Sequence, residues 1–375
     1  MTPSSRDGLA KWVIARPKAR IARRMGMARL RPRRPVGDLR FLAPPGPHVD
    51  QGPAPTFSVI VAAYQVADVI GDALESIRNQ TLRPLEVIVC DDGSTDALED
   101  ALAPYREEIV FARTNHGGEA SAKNAAAARA SGDFVVILDA DDAFLPKRLE
   151  ALAELAQLRP DLDILTTDAY LVADGRRVRR NYDRSWPFEV SDQRRAILQR
   201  NFVFGHAAVR RERLLEHGGF DESVLWTTDW ELWLRLILAG SRAGCVDEPL
   251  ALYRLRESSL TAQRRDLLLG KLATLEKARS NPELREEERP VLEHSLAAYR
   301  RELGLIDLRD SLAAGSPDGR RQALALLRTP GQALRLRFKL AAMAAAPTVA
   351  GRLFRRRAKG SWVGAGGIRV SRRRS

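Results

Sequence analysis

Three carboxylates stand together at Asp139, Asp141 and Asp142, directly after the apolar run Val135-Val136-Ile137-Leu138. Carboxylates one and two positions apart can grip a hard divalent cation, and Mg²⁺ or Mn²⁺ held in this way commonly shares its shell with substrate phosphates. The chemistry this suggests is the handling of a diphosphate. The same residues also suit a solvated turn or a helix cap, so their surroundings decide. Two other groups have suitable types. Ala62-Ala63-Tyr64 closes an apolar stretch with a ring able to stack on a base. Asp91-Asp92-Gly93-Ser94-Thr95-Asp96 closes another with carboxylates that can accept from a base or ribose. Taken singly, Tyr64 also fits a core-rim aromatic, and Ser94 or Asp96 a helix N-cap.

These groups need strands that end at one edge, and the hydrophobic patterning supplies them. Residues 57–63, 85–90, 109–112 and 134–138 read as strands. Between them, residues 66–79 place apolar side chains at 66, 69, 70, 73, 74 and 77, a helical spacing, and residues 120–130 form an alanine-rich helix. Pro146 opens another helix. Such βαβα alternation predicts an α/β fold, a mostly parallel sheet covered by helices on both faces, with ligands beyond the carboxyl ends of the strands. After residue 160 the pattern changes. A hairpin is expected around Asp174-Gly175, a strand over 202–209 and a helix over 229–239. From 261 to 346 the chain reads as several short helices interrupted at Pro282 and Gly304.

Composition bounds the possibilities. The 375 residues are 45% hydrophobic and 29% charged, a soluble globular balance with room for two or three domains or one large one. The two cysteines, Cys90 and Cys245, lie in apolar contexts and read as reduced core residues, which fits the cytosol. No N-terminal segment resembles a signal peptide, and the longest candidate for a membrane span, the uncharged run 340–351, is too short and contains Pro347. The net charge of +13 is uneven: residues 1–50 hold 12 basic and 3 acidic side chains, residues 335–375 hold 12 and none, and the middle is net negative. Arg-rich ends suit anionic lipid, nucleic acid or solvent alone. With few aromatics for base stacking and no zinc-finger or RNA-binding signature, nucleic acid is disfavoured. The interleaving of Leu334, Leu336, Phe338, Leu340, Leu353 and Phe354 with Arg335, Arg337, Lys339, Arg352 and Arg355 suits an interfacial segment on an anionic membrane.

Taken together, the motifs resemble one family. Phe57 to Tyr64, Ser76-Ile77-Arg78-Asn79-Gln80-Thr81, Glu86 to Asp96, Asn115-His116-Gly117-Gly118-Glu119 through Asn124, and Gly132-Asp133 before Leu138-Asp139-Ala140-Asp141-Asp142 are similar, in order and distance, to the opening of the family 2 glycosyltransferases. The resemblance covers residues 56 to about 261. It implies a GT-A-type fold, to which the composition adds a C-terminal helical extension, and inverting transfer of a sugar from a nucleotide diphosphate, expected to be a UDP-sugar, to an acceptor hydroxyl. By position it implies nucleotide-sugar contacts at Ala62, Tyr64, Asp91, Asp92, Lys123, Asp139 and Ala140, and a Mn²⁺ or Mg²⁺ ion at Asp139, Asp141 and Asp142. Lys123 stands where the family pattern usually has arginine, and lysine lacks the bidentate fork. Gly218-Gly219-Phe220-Asp221-Glu222 and Thr227-Thr228-Asp229-Trp230 resemble the acceptor side, which makes Asp229 the implied catalytic base. Arg256 stands where family members often have histidine, and it would face the diphosphate. His206, in an apolar stretch, suits either the acceptor pocket or the core.

The expected organisation is a basic, proline-rich tail and linker over 1–55, with the ordered body beginning near Thr56. A transferase domain follows over 56–261, its nucleotide half at 56–145 and its acceptor half at 146–261. Residues 262–334 form the helical extension, and 335–375 a basic amphipathic tail. The expected partners are a nucleotide-sugar, an acceptor saccharide, lipid-linked or part of an envelope polysaccharide, and an anionic membrane. The expected location is the cytoplasm, at the inner face of the plasma membrane. A nucleotidyltransferase would need a glycine-rich loop after the first strand, where Ala62-Ala63-Tyr64-Gln65 offers none. A non-catalytic nucleotide-sugar-binding module or membrane scaffold would bind a nucleotide without turnover.

Overall fold

The computed structural model describes residues 41–47, 53–255, 264–329, 333–358, 361–364 and 368–371. Its strands are β1 (Phe41–Leu42), β2 (Phe57–Ala63), β3 (Glu86–Asp91), β4 (Val110–Arg113), β5 (Phe134–Ile137), β6 (Ala143–Phe144), β7 (Ile164–Ala173), β8 (Arg176–Arg180), β9 (Ala208–Arg210) and β10 (Ala243–Arg254). They form one mixed sheet in the order β1-β10-β7-β9-β5-β2-β3-β4, with β6 added to β10 and β8 to β7. Strands β5, β2, β3 and β4 run parallel, as do β7 and β10, and β9 lies antiparallel between the two groups. In β2, Val59, Ile60 and Val61 are fully buried, as expected for a central strand covered on both faces. The chain steps from β2 to β3 to β4 and then returns to the other side of β2 as β5. That reversal opens a crevice beyond the carboxyl ends of β2 and β5, where α/β sheets bind ligands.

The sheet is covered by α1 (Ile70–Arg78), α2 (Leu98–Leu102), α3 (Glu119–Ala127), α4 (Arg148–Leu158), α5 (Gln193–Ile197), α6 (Arg211–Glu216) and α7 (Thr228–Leu238). Helix α1 buries Ile70, Ala73, Leu74 and Ile77, the stripe its spacing predicts. It begins later than residue 66 because Asp96 accepts from the Ala67 N–H (2.9 Å) and holds residues 66–69 as a turn. Cys90 on β3 and Cys245 on β10 are separate, buried side chains.

Three departures from the sequence reading have physical causes. Ordered structure begins before Thr56: Phe41 and Leu42 pair with Val246 and Cys245 at the edge of β10, burying Phe41 and Ala43. Two residues leave too little periodicity to read as a strand. Residues 202–207 do not extend β9, because the Tyr182 hydroxyl donates to the Phe202 carbonyl and accepts from the Phe204 N–H, both at 2.9 Å, taking groups a ladder would use. Gly304 does not break a helix. It lies inside α9 (Arg289–Ala314), where an added Cβ would sit 3.0 Å from Leu326 of α10 (Asp318–Arg328), so it permits close helix packing.

Helix α8 (Arg264–Ala278) and the start of α9 join the main core through Leu275, Leu292 and Leu296. Helices α11 (Leu334–Ala345) and α12 (Pro347–Ala358) close a second, smaller core around Leu308, Leu312, Ala323, Leu340 and Ala344. A hairpin of β11 (Ser361–Gly364) and β12 (Ile368–Ser371) follows. Among the described residues, no helix is long and apolar enough to cross a membrane.

Candidate active site

The first wall of the crevice is built where β2 and β3 end. Ala62 and Ala63 pair with Cys90 and Asp91, and exposed Tyr64 stacks on His116 with ring centroids 4.3 Å apart. Asp91 is buried; it accepts from the Ser94 N–H (2.8 Å) and pairs with Arg113 (3.2 Å). Asp92 is also buried, and its two oxygens accept from the Gly117 and Gly118 N–H groups at 2.8 Å each, with His116 Nδ1 at 3.0 Å from the second. It therefore pins the glycine loop entering α3. Gly118 has φ of +92°, a conformation glycine adopts without strain. Ser94 accepts from the Gln65 N–H (3.1 Å) and cross-ties the two strand ends. Helix α2 has no side-chain cap, so Ser94 and Asp96 serve the loops and not that helix.

The second wall follows β5. Leu138 donates to the Ile60 carbonyl (3.0 Å), and Ala140 is buried behind the turn. Asp139, Asp142 and His206 turn toward one another, with one ligand atom from each within 4.8 Å of the others. His206 Nε2 lies 2.9 Å from Asp142 Oδ2 and 3.3 Å from Asp139 Oδ2. Asp141 is not a member of this cluster, although its carbonyl accepts from Arg254 at 3.0 Å. The Arg254 N–H also donates to Asp142 Oδ1 (2.6 Å), so the end of β10 clamps the acidic turn. Arg256 lies outside the described residues.

Electrostatics set the states of these groups. Burial alone would raise the Asp139 carboxyl, but the Lys123 ammonium and His206 outweigh it and hold it well below the usual carboxylate range. Buried Lys123 lies 3.1 Å from Asp139 and also bonds Glu119; burial would lower it, and the two carboxylates push it up. Burial raises the Asp142 carboxyl. Burial would lower the His206 imidazole, yet the two aspartates bring it up to about 9. Among the described residues, the partner of buried Asp142 Oδ2 is the His206 imidazole at 2.9 Å. Two carboxylates and an imidazole nitrogen, whose proton a bound ion would displace, fit a divalent cation with mixed oxygen and nitrogen ligands.

Across the crevice, Asp229 sits in the first turn of α7. Its carboxylate accepts from the Trp230 N–H (2.7 Å) and from Asn201 (2.8 Å). Burial raises it to about 6, against the opposing pull of Lys123. A Cβ on Gly205 would lie 3.2 Å from Asp229 Oδ2, so the absence of a side chain there lets the residue beside His206 approach Asp229. Asn124 joins the halves: it donates to the Phe220 carbonyl (2.9 Å) and accepts from the Phe220 N–H (2.7 Å). The helical extension contributes as well. Gly270 of α8 packs against Leu225 and Thr227, which precede Asp229, and the Thr227 and Thr274 hydroxyls are 2.9 Å apart.

Three of these groups have roles that only the fold discloses: Glu119, Asn201 and the Gly205 approach. A glutamate one turn before Lys123 was a visible signal for the first; the other two depend on long-range folding. His206, expected in the acceptor pocket or the core, is buried among aromatic rings and turned to the acidic turn. It is buried beside Phe144 and Phe204 and in reach of two aspartates.

A crevice of this kind on a mixed sheet is that of the GT-A-type fold. The sequence model described as Glycosyl transferase family 2 matches residues 58–219, so the chain carries a domain of that family. A teichuronic acid biosynthesis glycosyltransferase, TuaG, of Bacillus subtilis is 29% identical over 56% of this chain and 83% of its own length. Two Rickettsia glycosyltransferases are matched over 60% of their length. Among solved structures, S. aureus TarS 1–349 in complex with UDP-GlcNAc superposes with a TM-score of 0.52 at 20% identity, covering 80% of this chain and 90% of that one. A Pyrobaculum calidifontis mannosyltransferase in complex with GDP-Man and Mn²⁺ superposes with a TM-score of 0.52 at 23% identity, covering 85% and 90%.

Proposed function

We propose that the chain moves a hexose from a UDP-sugar to an acceptor hydroxyl with inversion at the anomeric carbon. The observation that carries the proposal is the dipeptide Gly205-His206. Its histidine joins the carboxylate cluster and its glycine lies against Asp229, so one short segment spans a donor side and an acceptor side. Asp229 accepts the acceptor hydroxyl's proton as the new C–O bond forms and the bond to the diphosphate breaks, leaving the negative charge on the nucleotide. Removal of that proton is worth roughly 10² to 10⁴ in rate. Tyr64, stacked on His116, offers its ring to the base, Asp91 and Asp92 shape the loop around it, and Lys123, held by Asp139 and Glu119, faces the phosphates. Mn²⁺ or Mg²⁺, when bound, would be held by Asp139, Asp142 and His206, with Asp141 at the same turn, and would stabilise the leaving diphosphate by several kcal/mol. Arg256 would assist there.

Uridine as the nucleotide is supported by the UDP-GlcNAc in the TarS complex. An acceptor in envelope polysaccharide or glycolipid synthesis, worked on at the cytoplasmic face of the plasma membrane, is supported by the TuaG likeness and the basic ends. The test is thermal-shift titration with UDP-, GDP- and dTDP-sugars with and without Mn²⁺, followed by a sugar-nucleotide consumption assay. The proposal expects metal-dependent stabilisation by UDP-sugars together with turnover. Stabilisation without turnover would make the chain a binding module, and stabilisation by another nucleotide alone would overturn the UDP assignment.

A further inference from the structure

Helices α11 and α12 have two kinds of apolar residue. Leu340, Ala344 and Gly351 are buried, and Leu336, Met343, Ala350 and Phe354 pack against the second core. Others point away from it. Leu334 and Phe338 are each 68% exposed, Val349 56% and Leu353 52%. Along α11, Leu334, Phe338, Ala341 and Ala345 are all exposed at a spacing of four, three and four residues, which is one face of a helix. Val349 and Leu353, four apart, continue the pattern on α12. Globular proteins seldom leave a run of this kind in water without use.

Charge selects the occupant. Arg335, Arg337, Arg352 and Arg355 are exposed along the same two helices. No acidic residue follows Asp318, whereas residues 335–375 hold 12 Lys and Arg. A second copy of the chain would bring two such faces together, with like charges opposed. A nucleic acid would leave the leucine and valine side chains in water. A bilayer with anionic headgroups satisfies both features, by shallow insertion of the apolar side chains and attraction of the flanking guanidinium groups.

We propose that the outer face of α11 and α12, centred on Leu334, Phe338, Val349 and Leu353, docks the chain on an anionic lipid surface. The site is separate from the crevice and stands whether or not the transferase assignment does. The second core faces the opposite side of these helices, so substitutions on the outer face leave the fold intact.

The test is flotation of the full chain with vesicles of phosphatidylcholine alone or with phosphatidylglycerol added, in the absence of nucleotide-sugar. The expected result is binding to the phosphatidylglycerol vesicles at least roughly tenfold stronger than to neutral ones and weakened by salt. The double variant F338E/L353E should lose that binding at unchanged melting temperature, while L85E, at another exposed leucine, should keep it. Equal binding to both vesicle types, full binding by F338E/L353E, or preferential capture by duplex DNA would overturn the proposal. So would F338E/L353E acting only by dissolving a dimer.

Discussion

Asp229 is worked on by two opposing forces: burial raises its carboxyl to about 6 and Lys123 pulls it down. Only the ionised carboxylate can take a proton, so turnover should fall as the pH drops through about 6. The measurement is kcat/KM against pH, whose acid limb reports the free enzyme. Substituting Lys123 with Met removes the opposing cation, and the limb should then move to higher pH. Asp92 makes a different claim. Its oxygens satisfy two backbone N–H groups, so Asp92→Ala should cost roughly 1–3 kcal/mol of stability by leaving them without partners. Chemical denaturation would show this, along with weaker donor binding as the glycine loop loosens. His206 should be needed for the cation: His206→Ala should lower Mn²⁺ affinity measured by electron paramagnetic resonance, a readout independent of turnover.

At the scale of elements, the strands β2, β3 and β5 and the residues at their ends were legible because strand patterning and the motifs lie in one continuous stretch. What folding brings from afar was not. The two-residue β1 has no periodicity of its own, and its place depends on an unpaired edge of β10. Residues 202–207 have strand-like composition, but a tyrosine twenty residues upstream takes their hydrogen bonds. Gly304 looked like a break because its use, admitting Leu326, lies on another helix. The acidic cluster shows the same limit: neighbours in sequence suggested Asp139, Asp141 and Asp142, whereas the structure gathers Asp139 and Asp142 with His206. Helix α8 also supports the loop before Asp229. Replacing Gly270 with Val would drive a Cβ to 2.6 Å from the Leu225 carbonyl, so kcat should fall and the fold should lose roughly 1–3 kcal/mol. Paired melting and rate measurements would check both.

The whole molecule joins a crevice-bearing α/β body to a helical extension that is continuous with its core through α8 and the start of α9, and then to a second core closed by α11 and α12. Ending the chain after residue 329 should therefore spare the body, because its core residues lie upstream. Ending it after residue 260 should destabilise the body, because Leu275, Leu292 and Leu296 are lost from the main core. Calorimetry on the two truncations distinguishes these outcomes. The central claim is that one crevice separates donor binding from proton removal. The most direct measurement is isothermal titration of a UDP-sugar with Mn²⁺ into wild type, Asp229→Asn and Asp139→Ala, each with its transfer rate. Asp229→Asn should bind the donor like wild type with transfer reduced by roughly 10² or more, and Asp139→Ala should lose metal-dependent donor binding. Full transfer by Asp229→Asn, or unchanged metal-dependent binding by Asp139→Ala, would contradict that claim.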